Sequence, residues 1–158
     1  LHEPYRRQRQ MCIRDSFRTF NFMILRETFL KHPFDETITH YGHEDTLFGL
    51  VLKKEGIKIL HIDNPLMNCG LDTNLDVLLK TEESLRTLYM HSEKLKDCSE
   101  ILRLYGLLRD MHLLRSVSFL YHLCRPMIRR NLLGKHPNLY CFAFYKIGYY
   151  CNLAKERK

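Results

Sequence analysis

The densest cluster of ionisable and small residues in the chain is His40-Tyr41-Gly42-His43-Glu44-Asp45. It lies where a loop runs into a predicted helix spanning about Glu44 to Glu55. Carboxylates in a first helical turn sit near the positive end of the macrodipole, which stabilises them as anions. An ionised carboxylate can take a proton from a hydroxyl nucleophile and so act as a general base. The same two acids also suit a purely structural use, because acidic residues are common at helix starts. Spacing alone leaves both uses open. Gly42 allows the loop ahead of them to turn sharply.

The elements that must position this cluster can be read from periodicity and turn chemistry. Phe17 to Ile24 is apolar and aromatic at the length of a buried strand. Leu25 to Lys31 reads as a short helix, stopped at His32-Pro33 because proline disfavours a helical residue before it. Phe34 to Gly42 is a loop. The helix from Glu44 carries Lys53 and Lys54 in its last turn, and Gly56 follows as a stop. Ile57 to Ile62 alternates with period two and predicts a strand, ended by the turn residues Asp63-Asn64-Pro65. Leu75 to about Met90 predicts a helix with Leu75, Leu78, Leu79, Leu85 and Leu88 on its apolar face. From Glu93 the pattern stays helical, with breaks at Pro126 and at Gly134 to Pro137. The expected fold class is therefore α/β: a small α/β unit followed by an α-helical tail.

Three pieces occur in order within the first half: Asn21 to Arg26, then Phe34-Asp35-Glu36 with Tyr41-Gly42-His43-Glu44-Asp45, then Gly56 to Pro65. Over about residues 17–90 this set resembles the C-terminal half of the catalytic domain of family 2 glycosyltransferases, most closely the Bacteroidetes-type members. The resemblance implies a GT-A fold, of which residues 17–90 would be the acceptor-side half. It implies an inverting transfer of a sugar from a nucleotide-sugar donor to a hydroxyl of a glycan or lipid-linked acceptor. It makes Asp45 the general base and Glu44 a supporting group. It places His43, Gly42 and Asn21 near the acceptor, with His43 either contacting it or filling the loop. In many relatives a divalent metal, Mg²⁺ or Mn²⁺, meets the charge of the leaving nucleoside diphosphate. The acidic motif that holds this metal lies upstream in the family and has no counterpart here. A late histidine of the family is matched by Asn68, which the resemblance makes a candidate metal ligand, its amide oxygen suiting a hard cation, with a simple loop asparagine as the alternative. The other histidines, such as His61, His91 and His112, show no metal-ligand spacing.

The 158 residues carry a net charge of +7, unevenly spread. Residues 1–16 hold four arginines against two acids, and residues 17–100 hold ten basic against fourteen acidic residues. Residues 101–158 hold eleven basic residues against only Asp110 and Glu156. Residues 1–16 have no secondary-structure period, and Gln10 to Ser16 resembles a translated adapter sequence. This segment is expected to be a non-native scar, with a genuine basic arm as the alternative. On that reading the chain is a fragment whose donor-binding half is missing, and the fragment alone is expected to be inactive. Residues 91–158 form the expected basic amphipathic tail.

Its arginines and aromatics suit the headgroup layer of an anionic membrane through residues 101–158. The plainer alternative is a helix pair packed on the catalytic domain. No nucleic-acid motif occurs, and no nucleic-acid partner is expected. The six cysteines form no C-x-x-C pair and fit a reducing compartment. No apolar run is long enough to span a membrane. The expected location is cytoplasmic, peripheral on the inner face of the cytoplasmic membrane. The alternative function is a noncatalytic membrane-peripheral or scaffold module.

Overall fold

The structure, a computed structural model, describes residues 17, 19, 21–36, 38, 41–62 and 72–156. The described residues form helices and turns, and no strand occurs among them. The chain divides into two compact units.

The first unit contains α1 (Arg26–Lys31) and α2 (Glu44–Lys54). Leu47, Phe48 and Leu52 form the buried face of α2. Phe48 stacks on Phe34 at 4.3 Å between ring centroids and meets Phe17 at 5.4 Å. Phe17 in turn packs edge-on against Phe22 at 5.2 Å. Lys53 and Lys54 end the helix as its dipole favours. Gly56, at φ +70°, then closes it. Its N–H bonds the Lys53 carbonyl at 3.1 Å and the Ile57 N–H bonds the Leu52 carbonyl at 3.0 Å. This is a Schellman closure, which needs the left-handed backbone that glycine adopts most readily.

The second unit contains residues 41 and 42 with α3 (Asn74–Met90), α4 (Ser92–Leu95), α5 (Glu100–Asp110), α6 (Leu114–Leu132) and α7 (Leu139–Glu156). Thr73 and Asp76 start α3 with a reciprocal capping box, each side chain accepting the other's backbone N–H. Ser99 caps α5 through the Leu102 N–H. Asn138 caps α7, its side-chain oxygen accepting from the N–H groups of Tyr140 and Cys141. The Asn138 N–H is itself held by the side chain of Asn131 at 2.9 Å, which closes the α6–α7 turn. Helix α7 packs against α3, α5 and α6. Tyr145, Ile147, Gly148, Tyr149, Tyr150, Cys151 and Ala154 are all buried, so it is apolar nearly all round and forms the core of this unit. Helices α6 and α7 approach closely where the Tyr121 ring lies on Gly148. A Cβ added at Gly148 would stand 2.4 Å from Tyr121 Cδ2.

The expected α/β class, and with it the C-terminal half of a GT-A domain, is overturned: the regular structure of the described residues is all helix, with no strand. A strand is stable only when neighbouring strands take up its backbone N–H and C=O groups. Among the described residues neither predicted strand finds such a neighbour. Phe17 and Phe22 serve a ring cluster rather than a ladder. Leu60 and Ile62 stand in solvent, so the alternation of Ile57 to Ile62 buries no face. The expected break at Pro126 is also corrected, since α6 runs through it. Proline there removes one N–H donor and crowds the carbonyl of His122. Both residues face solvent, where water can take up the freed carbonyl.

Candidate functional site

Two consecutive left-handed residues lead into α2: Gly42 at φ +103° and His43 at φ +69°. Left-handed backbone is ordinary for glycine but costs a residue with a Cβ about 1 kcal/mol or more. An N-terminal cap is normally extended, with a Ser, Thr or Asp side chain on the free N–H groups. His43 occupies this position in the left-handed region and makes no such cap bond. Helix α2 therefore opens with an unusual and unfavourable start. Such local strain is commonest where a segment has a task other than stability.

Asp45 is half-buried and Glu44 is exposed. Asp45 Oδ1 accepts from the Thr46 N–H at 2.7 Å and from the Thr46 hydroxyl at 3.4 Å. The carboxylate thus lies against the first turn of the helix, bonded to one of its free backbone N–H groups. His43, Glu44 and Asp45 are brought together as consecutive residues at this turn. Asn21 is exposed on the segment ahead of α1. Asn68 lies outside the described residues.

In the second unit, the residues just ahead of this turn rest on α3. The Tyr41 N–H donates to Glu83 Oε1 at 3.3 Å, and the Thr87 hydroxyl donates to the Tyr41 carbonyl at 3.0 Å. Gly42 approaches so closely that a Cβ there would stand 2.6 Å from Ser84 Oγ and 3.0 Å from Ser84 Cα. Glycine at 42 is therefore required twice, by its φ and by its contact.

Among the described residues no group of three His, Cys, Asp or Glu side chains is placed to hold a metal ion. Among the described residues the carboxylates at this turn are Glu44, exposed, and Asp45, bonded within its own turn. These two by themselves do not make a divalent-metal cradle.

A polar cluster inside the second unit escaped the sequence reading. Glu82 is buried on α3 and accepts from Arg129 Nη1 at 3.0 Å and from the hydroxyl of Tyr145. Arg129 Nη1 also donates to the Tyr145 oxygen at 3.2 Å. Burial, followed by the bond to Glu82, pushes the Tyr145 hydroxyl above its ordinary pKa. The available signal was Glu82's position between Leu78 and Leu85 on the apolar face of α3, where a lone acid requires a buried partner. A shallow cleft over this helix is lined by Leu79, Glu82, Glu83, Arg86 and Met90. Its charged groups are engaged in the packing: Glu82 with Arg129, Glu83 with the Tyr41 amide, and Arg86 with the Tyr149 hydroxyl at 3.0 Å. The cluster therefore ties α3, α6 and α7 together.

Compared with known protein families, curated proteins and solved structures, the chain shows no match.

Proposed function

We propose that the chain contributes the acceptor-side catalytic segment of an inverting, nucleotide-sugar-dependent glycosyltransferase, with Asp45 as general base. The observation that carries this reading is the left-handed Gly42-His43 turn, which makes no side-chain cap bond and sets Asp45 in the first turn of α2. The reading rests on these residues and their ordered neighbours, and on no sheet. Asp45 takes the proton from the acceptor hydroxyl as its oxygen attacks the anomeric carbon. The bond to the nucleoside diphosphate breaks and the leaving group departs with the electron pair. Only one enzymic base is needed, unlike the two carboxyl groups of a retaining glycosidase. Glu44 supports the turn, while His43, Gly42 and Asn21 border the acceptor. The partners on this reading are a nucleotide sugar and a glycan or lipid-linked acceptor at the cytoplasmic face of the membrane. Among the described residues no helix is long and apolar enough to cross a membrane.

The test is Asp45→Asn in the protein as its cell makes it. Nucleoside diphosphate release from uridine- and guanosine-diphosphate sugars is followed with cell-envelope lipid and glycan as acceptors. Release is expected to fall by about 10² or more, the usual share of a general base, with donor binding retained. Near-normal turnover overturns the assignment. The helical second unit, whose polar cluster is structural, favours one other reading: a noncatalytic membrane-peripheral module. Absence of any release by the unsubstituted protein selects that reading.

A further inference from the structure

We propose that α6 is an interfacial helix that docks the chain on an anionic lipid surface. The docking face is the row Phe119, Leu123 and Met127, flanked by Arg115 and Arg130. This inference is independent of the role of Asp45.

The face is defined by what α6 does not bury. Ser118, Tyr121, Ile128 and Leu132 point into the bundle and complete its packing. On the other side Phe119, Leu123 and Met127 are 71%, 68% and 70% exposed. They recur every fourth residue, so they form one stripe along the helix. Arg115 stands one turn before Phe119 and Arg130 one turn after Met127, both exposed. An apolar row between basic ends matches an acyl boundary beneath charged headgroups, with each arginine head reaching the phosphate layer. Nineteen helical residues give about 28 Å of helix to lie along the surface.

Charge identifies the occupant. Between Asp110 and Glu156 the sequence holds no acidic residue, whereas Arg115, Arg125, Arg130, Lys135, Lys146 and Lys155 are all basic. The acid that neutralises Arg129 comes from α3, and it lies on the buried side. A second copy docking through the same face would bring arginine rows together without acids to receive them. An anionic bilayer supplies the missing sign, at about five-fold in affinity for each arginine near the surface.

The test is sedimentation of the chain with vesicles of phosphatidylcholine alone and of phosphatidylcholine with phosphatidylserine. Binding is expected to be at least tenfold tighter to the anionic vesicles and to weaken with added salt. The exposed-face variant F119S/L123S/M127S is expected to lose at least tenfold in vesicle affinity while keeping its helical circular dichroism and melting temperature. R115Q/R130Q is expected to lose about five-fold per arginine. Equal binding to both vesicle compositions overturns the proposal, as does no binding to either. Self-association in solution that F119S/L123S/M127S abolishes, without vesicle binding, overturns it in favour of a second copy.

Discussion

Replacing Arg129 by Met tests whether the Glu82 cluster is the main polar tie of the second unit. The Glu82 side chain is 12% exposed and that of Arg129 31%, with 3.0 Å between nitrogen and oxygen. Met keeps most of the stem volume and removes the charge. Glu82 is then left with little water and a single neutral donor, the hydroxyl of Tyr145. Removing one partner of a fully buried ion pair costs about 3–5 kcal/mol. The partial exposure of Arg129 admits water to the gap and screens the remaining charge, which lowers the expected cost to about 2–3 kcal/mol. Tyr145→Phe removes one donor from a carboxylate that Arg129 still holds, and should cost about 1 kcal/mol. The double variant E82L/R129M removes both charges together and should be more stable than Arg129→Met alone. Urea unfolding followed by far-ultraviolet circular dichroism at neutral pH measures all three. With a slope of about 2 kcal/mol/M, Arg129→Met should move the midpoint down by roughly 1 M. A shift below about 0.3 M, or a double variant less stable than Arg129→Met, refutes the reasoning.

Two further outcomes follow from the core of the same unit. Gly148→Ala should gain about 1 kcal/mol of helix propensity yet lower stability by a net 2 kcal/mol or so, because the new methyl would stand 2.4 Å from the Tyr121 ring; a raised melting temperature would show that the two helices separate easily. Burial pushes the Cys151 thiol from 9.0 up to about 11. Its neutral form is thus favoured in the folded state, and the associated stability is complete below pH 9 and lost as pH rises towards 11. Cys151→Ala should flatten the fall of the urea midpoint between pH 9 and 10, below the titration of the buried tyrosines; an unchanged slope would place the alkaline loss elsewhere.

Helix α2 was legible because every signal agreed: acids in its first turn, lysines in its last, glycine after it. Helix α3 was legible in extent but only half so in facing. Leu78, Leu85 and Leu88 are buried as expected, while Leu75 and Leu79 stand in solvent. Glu82 holds a core position between Leu78 and Leu85, and that place on the apolar face was its one local sign; its partners on α6 and α7 left none in the sequence around it. The strands failed for the complementary reason. The apolar run of Phe17 to Ile24 and the period two of Ile57 to Ile62 describe what a strand would bury if a sheet existed, and sheet formation depends on partners that local pattern does not contain. At the candidate site the Gly42 turn was readable from glycine itself. The left-handed His43 was not, since nothing in its residue type demands that conformation.

The contact between Gly42 and Ser84 has a consequence for how the chain can vary. The Ser84 hydroxymethyl group fills the space a Cβ at position 42 would need, so position 42 cannot enlarge while Ser84 stays in place. Positions 42 and 84 should therefore behave as one unit of inheritance. Among related chains that keep the Tyr41–Gly42 turn, residue 84 should be limited to Gly, Ala or Ser. A larger side chain there should mark those in which the turn has been rebuilt.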